Sequence, residues 1–483
     1  MTSTSRGESR KQDPAVIAVV GCGLAGCMSA LLFARRGFNV EIFESGEDWR
    51  KTKPQGVDDL HRSNIKRSIN LALSHRGRSA LRKVGVEQKI LKHAIPMRCR
   101  AIHTEKDSKS PDADSFQPYD ENDPSNCIYS ISRELLNNFL LQLLEANPKV
   151  KVRFQHKLMH IDRKGVAHFD NKSSGESVNT YNDYSKGSYQ LKARLIVGAD
   201  GAYSAVRESM LRLQETNFER SYITHGYKEL TIPPQSGKFA LKDHEALHIW
   251  PRGDFMMIAL PNPDKTFTCT IFAPFHTENG VQGLKDINSP EEIQAYMKAH
   301  FPDAVRVMPD YVRDFQQNPT CSLVQVKVSP WNYKDNIVLV GDAAHAMVPF
   351  YGQGMNAAFE DCLLLDEILE ANSLDISSTV PEFVKKREPA GRAIAKLSMG
   401  NYLEMRHHTG SRLFLLRKKL EGVLNYLFPD WWIPLYKMVT FTRIPYDDVI
   451  AREAEQDKIL TRTSYAAATS LAAGAAYMIR SAL

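Results

Sequence analysis

Residues 16–26 read Val16-Ile17-Ala18-Val19-Val20-Gly21-Cys22-Gly23-Leu24-Ala25-Gly26, and the fold follows from this stretch. Five apolar residues in a row suit a buried strand, and the apolar periodicity that continues to about Arg36 makes the glycines a tight turn into a helix. The spacing Gly21-x-Gly23-x-x-Gly26 is that of the dinucleotide fingerprint. Its first two glycines let backbone N–H groups approach a pyrophosphate, and the third lets helix and strand pack closely around Leu24. The helix N-terminus supplies partial positive charge there. A second strand, 39–43, ends on Glu44, where a carboxylate can accept hydrogen bonds from both ribose hydroxyls and disfavours a 2′-phosphate. Strand before, helix after and acid in place turn a weak motif into a strong one.

Two further loops carry the same logic. Leu195-Ile196-Val197-Gly198-Ala199-Asp200-Gly201 ends an apolar strand in Asp-Gly and leads into a helix carrying Arg207. Ile337-Val338-Leu339-Val340-Gly341-Asp342 ends another strand in Gly-Asp, and a Gly-rich turn then opens a helix from about Gly354 to Glu370. Asp342 is placed to hold a polyol hydroxyl, and the amides near Met355 and Asn356 can face a developing negative charge.

The rest of the chain frames these loops. Its 483 residues suffice for several cores, and 62 Lys plus Arg against 56 Asp plus Glu leave a net charge of only +6, which argues against a polybasic nucleic-acid binder. Seven cysteines with no C-x-x-C pair read as reduced thiols, with no zinc site and no disulfide framework. Residues 1–14 lack the apolar stretch of a signal peptide and read as a disordered lead-in. The segment from about Tyr222 to Phe275 alternates apolar and polar residues, as antiparallel strands do. The expected class is α/β: a Rossmann-like nucleotide domain over 15–110, 127–221 and 321–380, interleaved with an antiparallel-sheet substrate domain over 222–320. A helical region follows over 381–461. In it, Val423 to Phe441 reads as a buried or interfacial helical hairpin, because Asp430 and Lys437 disfavour a lipid-exposed span. Residues 462–483 are a candidate membrane anchor, short and Ala-rich for a span.

The three loops in this order resemble the class A flavoprotein monooxygenases, which share the para-hydroxybenzoate hydroxylase fold. The resemblance implies FAD bound by the first loop and Glu44, with Asp200 and Arg207 at an Asp-Gly motif linked to FAD and NADPH. It places Asp342 on the ribityl chain and Met355 and Asn356 at the reduced flavin. Arg133 resembles the family arginine that reaches FAD, and Ala72 and Leu158 match backbone-contact positions. The segments RSINLALSHRG (67–77), IPMRCRAIH (95–103), HGYKELTIP (225–233), VPFYGQGMN (348–356), NYLEMR (401–406) and WIPLYKMVTF (432–441) are similar to a branch of this family that acts on L-kynurenine in tryptophan catabolism. At matching positions Arg100 would clamp the substrate carboxylate, with Tyr119 beside it. Asn401 and Tyr436 would complete the amino-acid pocket, and Pro349 and Phe350 would line the aniline ring. The neighbouring Arg98 competes with Arg100, since one misregistered residue would swap them.

The implied reaction is hydroxylation ortho to the aniline nitrogen through a C4a-hydroperoxyflavin, with NADPH and O2 consumed. It needs no metal and no side-chain catalytic triad, because the cofactor carries the difficult chemistry. A related hydroxylase acting on another aromatic or a polyene would explain the loops but not Arg100, Asn401 and Tyr436 together. A flavoprotein that does not oxygenate would explain only FAD binding. The resemblance also implies the cytosolic face of the mitochondrial outer membrane, reached through the C-terminal tail.

Overall fold

The computed structural model describes residues 16–51, 70–104, 112–171, 188–405 and 412–482; the expected lead-in, 1–14, lies outside the described residues. The Val16–Val20 strand sits inside a six-stranded sheet, between Leu195–Gly198 and Asn39–Phe43 and parallel to both. Ile337–Leu339 and Val150–Arg153 extend it on either side. The unbroken apolar run is explained by this central place: Ile17, Ala18 and Val19 are covered on both faces. The Gly21 turn needs glycine twice over, since its φ is +98° and a Cβ there would lie 2.5 Å from the Ala199 carbonyl oxygen. The loops ending in Gly21, Gly198 and Gly341 therefore emerge at the same carboxyl edge of one parallel sheet, where open α/β sheets bind ligands.

The second sheet has seven strands, ordered Cys321–Ser329, Asn217–Ile232, Phe267–Pro274, Met256–Pro261, Ala246–Pro251, Cys99–Ile102 and Ser115–Pro118. The alternation over 222–275 is borne out as antiparallel pairing. The expected boundaries at 222 and 320 are too narrow, because this sheet also takes Cys99–Ile102, residues 217–221 and Cys321–Ser329 from stretches assigned to the nucleotide domain, and Ser115–Pro118 from a stretch assigned to neither. Cys99–Ile102 enters by parallel pairing with Ala246–Pro251, a non-local contact that no local turn signal announces. Period two then separates its faces. Met257 and Ala259 pack with the helices of 290–317, whereas Met256 and Phe272 face Phe350 and Tyr402.

The helical region begins earlier than expected. Helix Ile376–Leu403 starts where Asp375 accepts the N–H groups of Ser377 and Ser378, so Pro381 falls inside it. Helices Arg412–Leu427 and Leu435–Phe441 form the expected hairpin. Its inner side, with Trp432, Met438 and Val439, is buried, and its tip exposes Tyr426, Phe428 and Trp431. Helix Tyr446–Ala482 follows. No helix among the described residues is long and apolar enough to cross a membrane.

Candidate active site

Between the two sheets lies a cavity of about 320 Å³. Gly23, Leu24, Ala72, Arg133, Asp342 and Met355 line its nucleotide side, and Arg100, Pro349, Phe350 and Tyr436 line the other end. At Gly23 the space where a Cβ would stand is open, whereas a Cβ on Gly26 would come within 1.8 Å of the Gly21 carbonyl oxygen. The first glycine thus leaves room for a ligand, and the second closes helix onto strand. Glu44 organises the turn from behind: Oε2 accepts the Cys22 N–H at 3.1 Å, and Oε1 accepts that of Gly46 at 2.9 Å.

The other two loops are tied to each other. Arg207, fully buried, donates from Nη1 to the Ala343 carbonyl at 2.8 Å and from Nη2 to the Ala202 carbonyl at 2.7 Å. Asp200 turns back onto its own helix, accepting from Ala205 and Val206, and its Oδ1 is buried with no partner. Burial pushes its carboxyl pKa up, against the hydrogen bonds that lower it. Asp342, by contrast, is exposed at the cavity wall.

Asn356 is occupied by the fold. Its Nδ2 donates to the Ala72 and Gly352 carbonyls and its Oδ1 accepts the Ser74 N–H, all at 2.8 Å. Its side chain is therefore not available to a ligand at this helix start. Gln353 provides no side-chain cap, so the first N–H groups, beside Gly354 and Met355 of the cavity wall, have no intrahelical acceptor. Uncapped amides, an exposed carboxylate and an open glycine fit a dinucleotide with a polyol chain.

At the far end Arg100 is 5% exposed, with its guanidinium carbon 4.6 Å from the centre of the Tyr436 ring. Its Nη1 is 3.9 Å from Glu404 Oε1. The ambiguity with Arg98 is resolved, because that side chain turns to the surface and pairs with Glu245 at 2.9 Å. Tyr119, Tyr436 and Tyr351 form a stacked row, with centroid separations of 5.2 and 5.7 Å. Phe350 stacks on Tyr402 at 3.8 Å.

Several expected residues thus stand behind the cavity wall. Tyr119 buries its hydroxyl without a hydrogen-bond partner and backs Tyr436. Asn401 donates to the Phe350 carbonyl at 2.8 Å and braces that ring's backbone. Leu158, expected as a backbone contact, has its side chain in the core and sits on strand His156–Ile161 of a separate three-stranded sheet, whose first residue donates its N–H to the Glu44 carbonyl at 2.8 Å. Glu404, the ion-pair partner of Arg100, and the apolar floor of Leu247, Ile258 and Leu260 were missed. Their signals were present: Glu404 is one helical turn beyond Asn401, and Ile258 and Leu260 have strand spacing.

The comparisons with known proteins agree with this geometry. The family described as FAD binding domain matches residues 14–373. The kynurenine 3-monooxygenase of Anopheles gambiae is 41% identical over 463 residues, covering 95% of this chain and 88% of the relative. That of Sus scrofa is 41% identical over 466 residues, covering 96% and 92%. The tetrameric form of 2-methyl-3-hydroxypyridine-5-carboxylic acid oxygenase superposes with a TM-score of 0.63 at 18% identity, covering 84% of this chain and 96% of that one, which shows the shared fold. A nucleotide groove opening onto a pocket with a buried arginine, carried on a sequence of this similarity, means that the chain belongs to the kynurenine 3-monooxygenase family of FAD-dependent monooxygenases.

Proposed function

We infer that this protein converts L-kynurenine, NADPH, O2 and a proton into 3-hydroxy-L-kynurenine, NADP+ and water. The observation that carries the assignment is the buried Arg100 guanidinium, held against Tyr436 at the end of the cavity away from the FAD loops. A carboxylate is the natural partner for such a cation in an apolar pocket. Glu404, beside it, is suited to the α-ammonium of the same amino acid. With that end fixed, the aniline ring lies along Phe350 and Pro349 over the floor of Leu247, Ile258 and Phe272.

FAD, when bound, supplies the acceptance of two electrons from NADPH and the activation of O2. The chain's own residues bind, orient and exclude water. Gly23, Arg133 and Asp342 are proposed to hold FAD from the first loop to the polyol, and the uncapped amides at 354–356 to favour negative charge beside the ring system. The substrate's amino group donates electron density to the ortho carbon, so no side-chain base has to be placed there. Apolar walls keep water away from reactive oxygen species.

The test is NADPH consumption by the FAD-loaded protein with and without L-kynurenine, with the product identified by mass. Stimulation with a gain of one oxygen supports the assignment. Absence of stimulation would return the reading to a hydroxylase of another aromatic or a polyene.

We further propose that the protein works on the cytosolic face of the mitochondrial outer membrane, held at the interface by its C-terminal region. Val423, Tyr426, Leu427, Phe428 and Trp431 are exposed together at the hairpin tip, and clustered amphipathic aromatics suit a membrane interface. Sedimentation with outer-membrane vesicles tests this. Removing 463–483 should weaken binding, and adding Trp431→Ser should abolish it; unchanged binding would reject the assignment.

A further inference from the structure

Tyr436 is carried by a helix of only seven residues, Leu435–Phe441, with no side-chain cap at its start. Helices shorter than ~12–15 residues do not hold themselves in water, so the orientation of Tyr436 must be imposed from outside. Arg76 imposes it. This side chain is 0% exposed and lies behind the cavity, on helix His75–Lys83. Its Nε donates to the Val439 carbonyl at 3.2 Å, one of the last carbonyls of the short helix, which lack intrahelical donors. Nη2 donates to the Ile444 carbonyl at 2.5 Å, and the guanidinium carbon lies 3.9 Å from the centre of the Tyr446 ring.

The remaining face of the same guanidinium is fixed on the FAD side. Nη1 lies 2.6 Å from each carboxylate oxygen of Glu360, which stands on helix Gly354–Ala371. Arg387 donates to Glu360 at 2.9 Å and to Asp361 at 2.6 Å, and Asp361 accepts the Gly341 N–H at 2.7 Å, one residue before Asp342. Arg387 belongs to the helix that also carries Asn401. Two arginines and two carboxylates, all buried, thus join the helices bearing Asn401 and Tyr436 to the helix and loop bearing Met355 and Asp342. The tight packing of helix His75–Lys83 on this unit shows at Gly77, where a Cβ would lie 2.5 Å from Asn356 Oδ1.

We propose that Arg76 is a positioning residue for hydroxylation: it registers the Tyr436 helix against the Met355 helix, and thereby sets the depth at which the amino-acid end of the substrate is held. The proposal rests on the functional reading above. Its consequence is a division of labour within one charge network. Arg76 governs where substrate sits and so whether NADPH and O2 yield hydroxylated product or hydrogen peroxide; Asp361 governs the Gly341–Asp342 loop and so FAD retention. The unproductive reaction balances as NADPH, O2 and a proton giving NADP+ and hydrogen peroxide.

The test uses Arg76→Lys in the full-length, FAD-loaded protein. Lysine keeps the charge opposite Glu360 but cannot reach both carbonyls and the carboxylate. The expected result is a KM for L-kynurenine raised about tenfold and a several-fold larger share of NADPH ending as hydrogen peroxide at saturating L-kynurenine, with the KM for NADPH and FAD content unchanged. Asp361→Asn should show the reverse pattern, with FAD lost and the peroxide share unchanged. If Arg76→Lys does not fold, the charge-balanced pair Arg76→Met with Glu360→Gln should give the same raised KM and peroxide share. Loss of FAD or of thermal stability alone, with KM and peroxide share as in the parent, would overturn the proposal. Hydrogen exchange of peptides covering 435–441 scores the clamp without turnover, and so separately from the functional reading. Faster exchange there, with 354–371 unchanged, supports it, and equal exchange rejects it.

Discussion

The guanidinium carbon of Arg100 lies over Tyr436, 4.6 Å from the ring centre, and its Nη1 is 3.9 Å from Glu404 Oε1. A cation so placed keeps its charge although it is buried, and presents its free N–H groups to the cavity. Replacing it with Met retains most of the apolar stem and removes the fork. A hydrogen-bonded charge contact contributes about 1.5–3 kcal/mol, so KM for L-kynurenine should rise roughly 10- to 150-fold. Steady-state kinetics with NADPH held saturating check this, and an unchanged KM would exclude Arg100 from substrate binding.

Two glycines of one loop should fail in different ways. Gly26→Ala places a methyl group 1.8 Å from the Gly21 carbonyl oxygen, so the protein should lose folding stability whether or not FAD is supplied. Gly23→Ala adds its methyl group to open space at the cavity wall. That variant should keep its apoprotein melting temperature and bind FAD more weakly, as read by flavin fluorescence during titration.

Asn401→Ala removes the donor to the buried Phe350 carbonyl. An unsatisfied buried carbonyl costs about 1–3 kcal/mol, which chemical denaturation should register. Because Phe350 shifts rather than Arg100, KM should change less than in the Arg100 variant.

Glu229 provides a pH signature. Burial pushes its carboxyl pKa up to about 7, against the pull of Arg133, and its Oε1 has no hydrogen-bond partner. The folded pKa exceeds the unfolded one, so the contribution to stability is fully present below pH 4.5 and is lost as pH rises toward 7. Glu229→Gln should therefore melt at a higher temperature than the parent at pH 8 and close to it at pH 4.5. A variant less stable than the parent at pH 8 would contradict this.

The parts legible in sequence were those whose cause is local. The Gly21–Gly26 turn, the strands feeding Asp200 and Asp342, and the alternation over 222–275 each depend on residues within one or two elements. What escaped depends on pairing between distant segments. Cys99–Ile102 joins the second sheet between Ala246–Pro251 and Ser115–Pro118, and that placement brings Arg100 to the cavity. Residue type likewise left side-chain direction open. Asn401 was expected at the substrate, but its amide satisfies the Phe350 carbonyl, the commoner duty of a buried amide. Glu404 was recoverable from helical spacing with Asn401.

Arg207 bonds to Ala343, 136 residues further along the chain, and the central strand waits for Leu195–Gly198, which in turn waits for Ile337–Leu339. During synthesis the amino-terminal glycine turn leaves the ribosome first, yet Ile337–Leu339, the strand that feeds Asp342, arrives only after every strand of the second sheet has been made. Cofactor loading is consequently a late event in the life of each chain. A nascent polypeptide stalled before residue 337 would carry the dinucleotide fingerprint and be unable to retain the dinucleotide, and quality control acting on such fragments would meet them flavin-free.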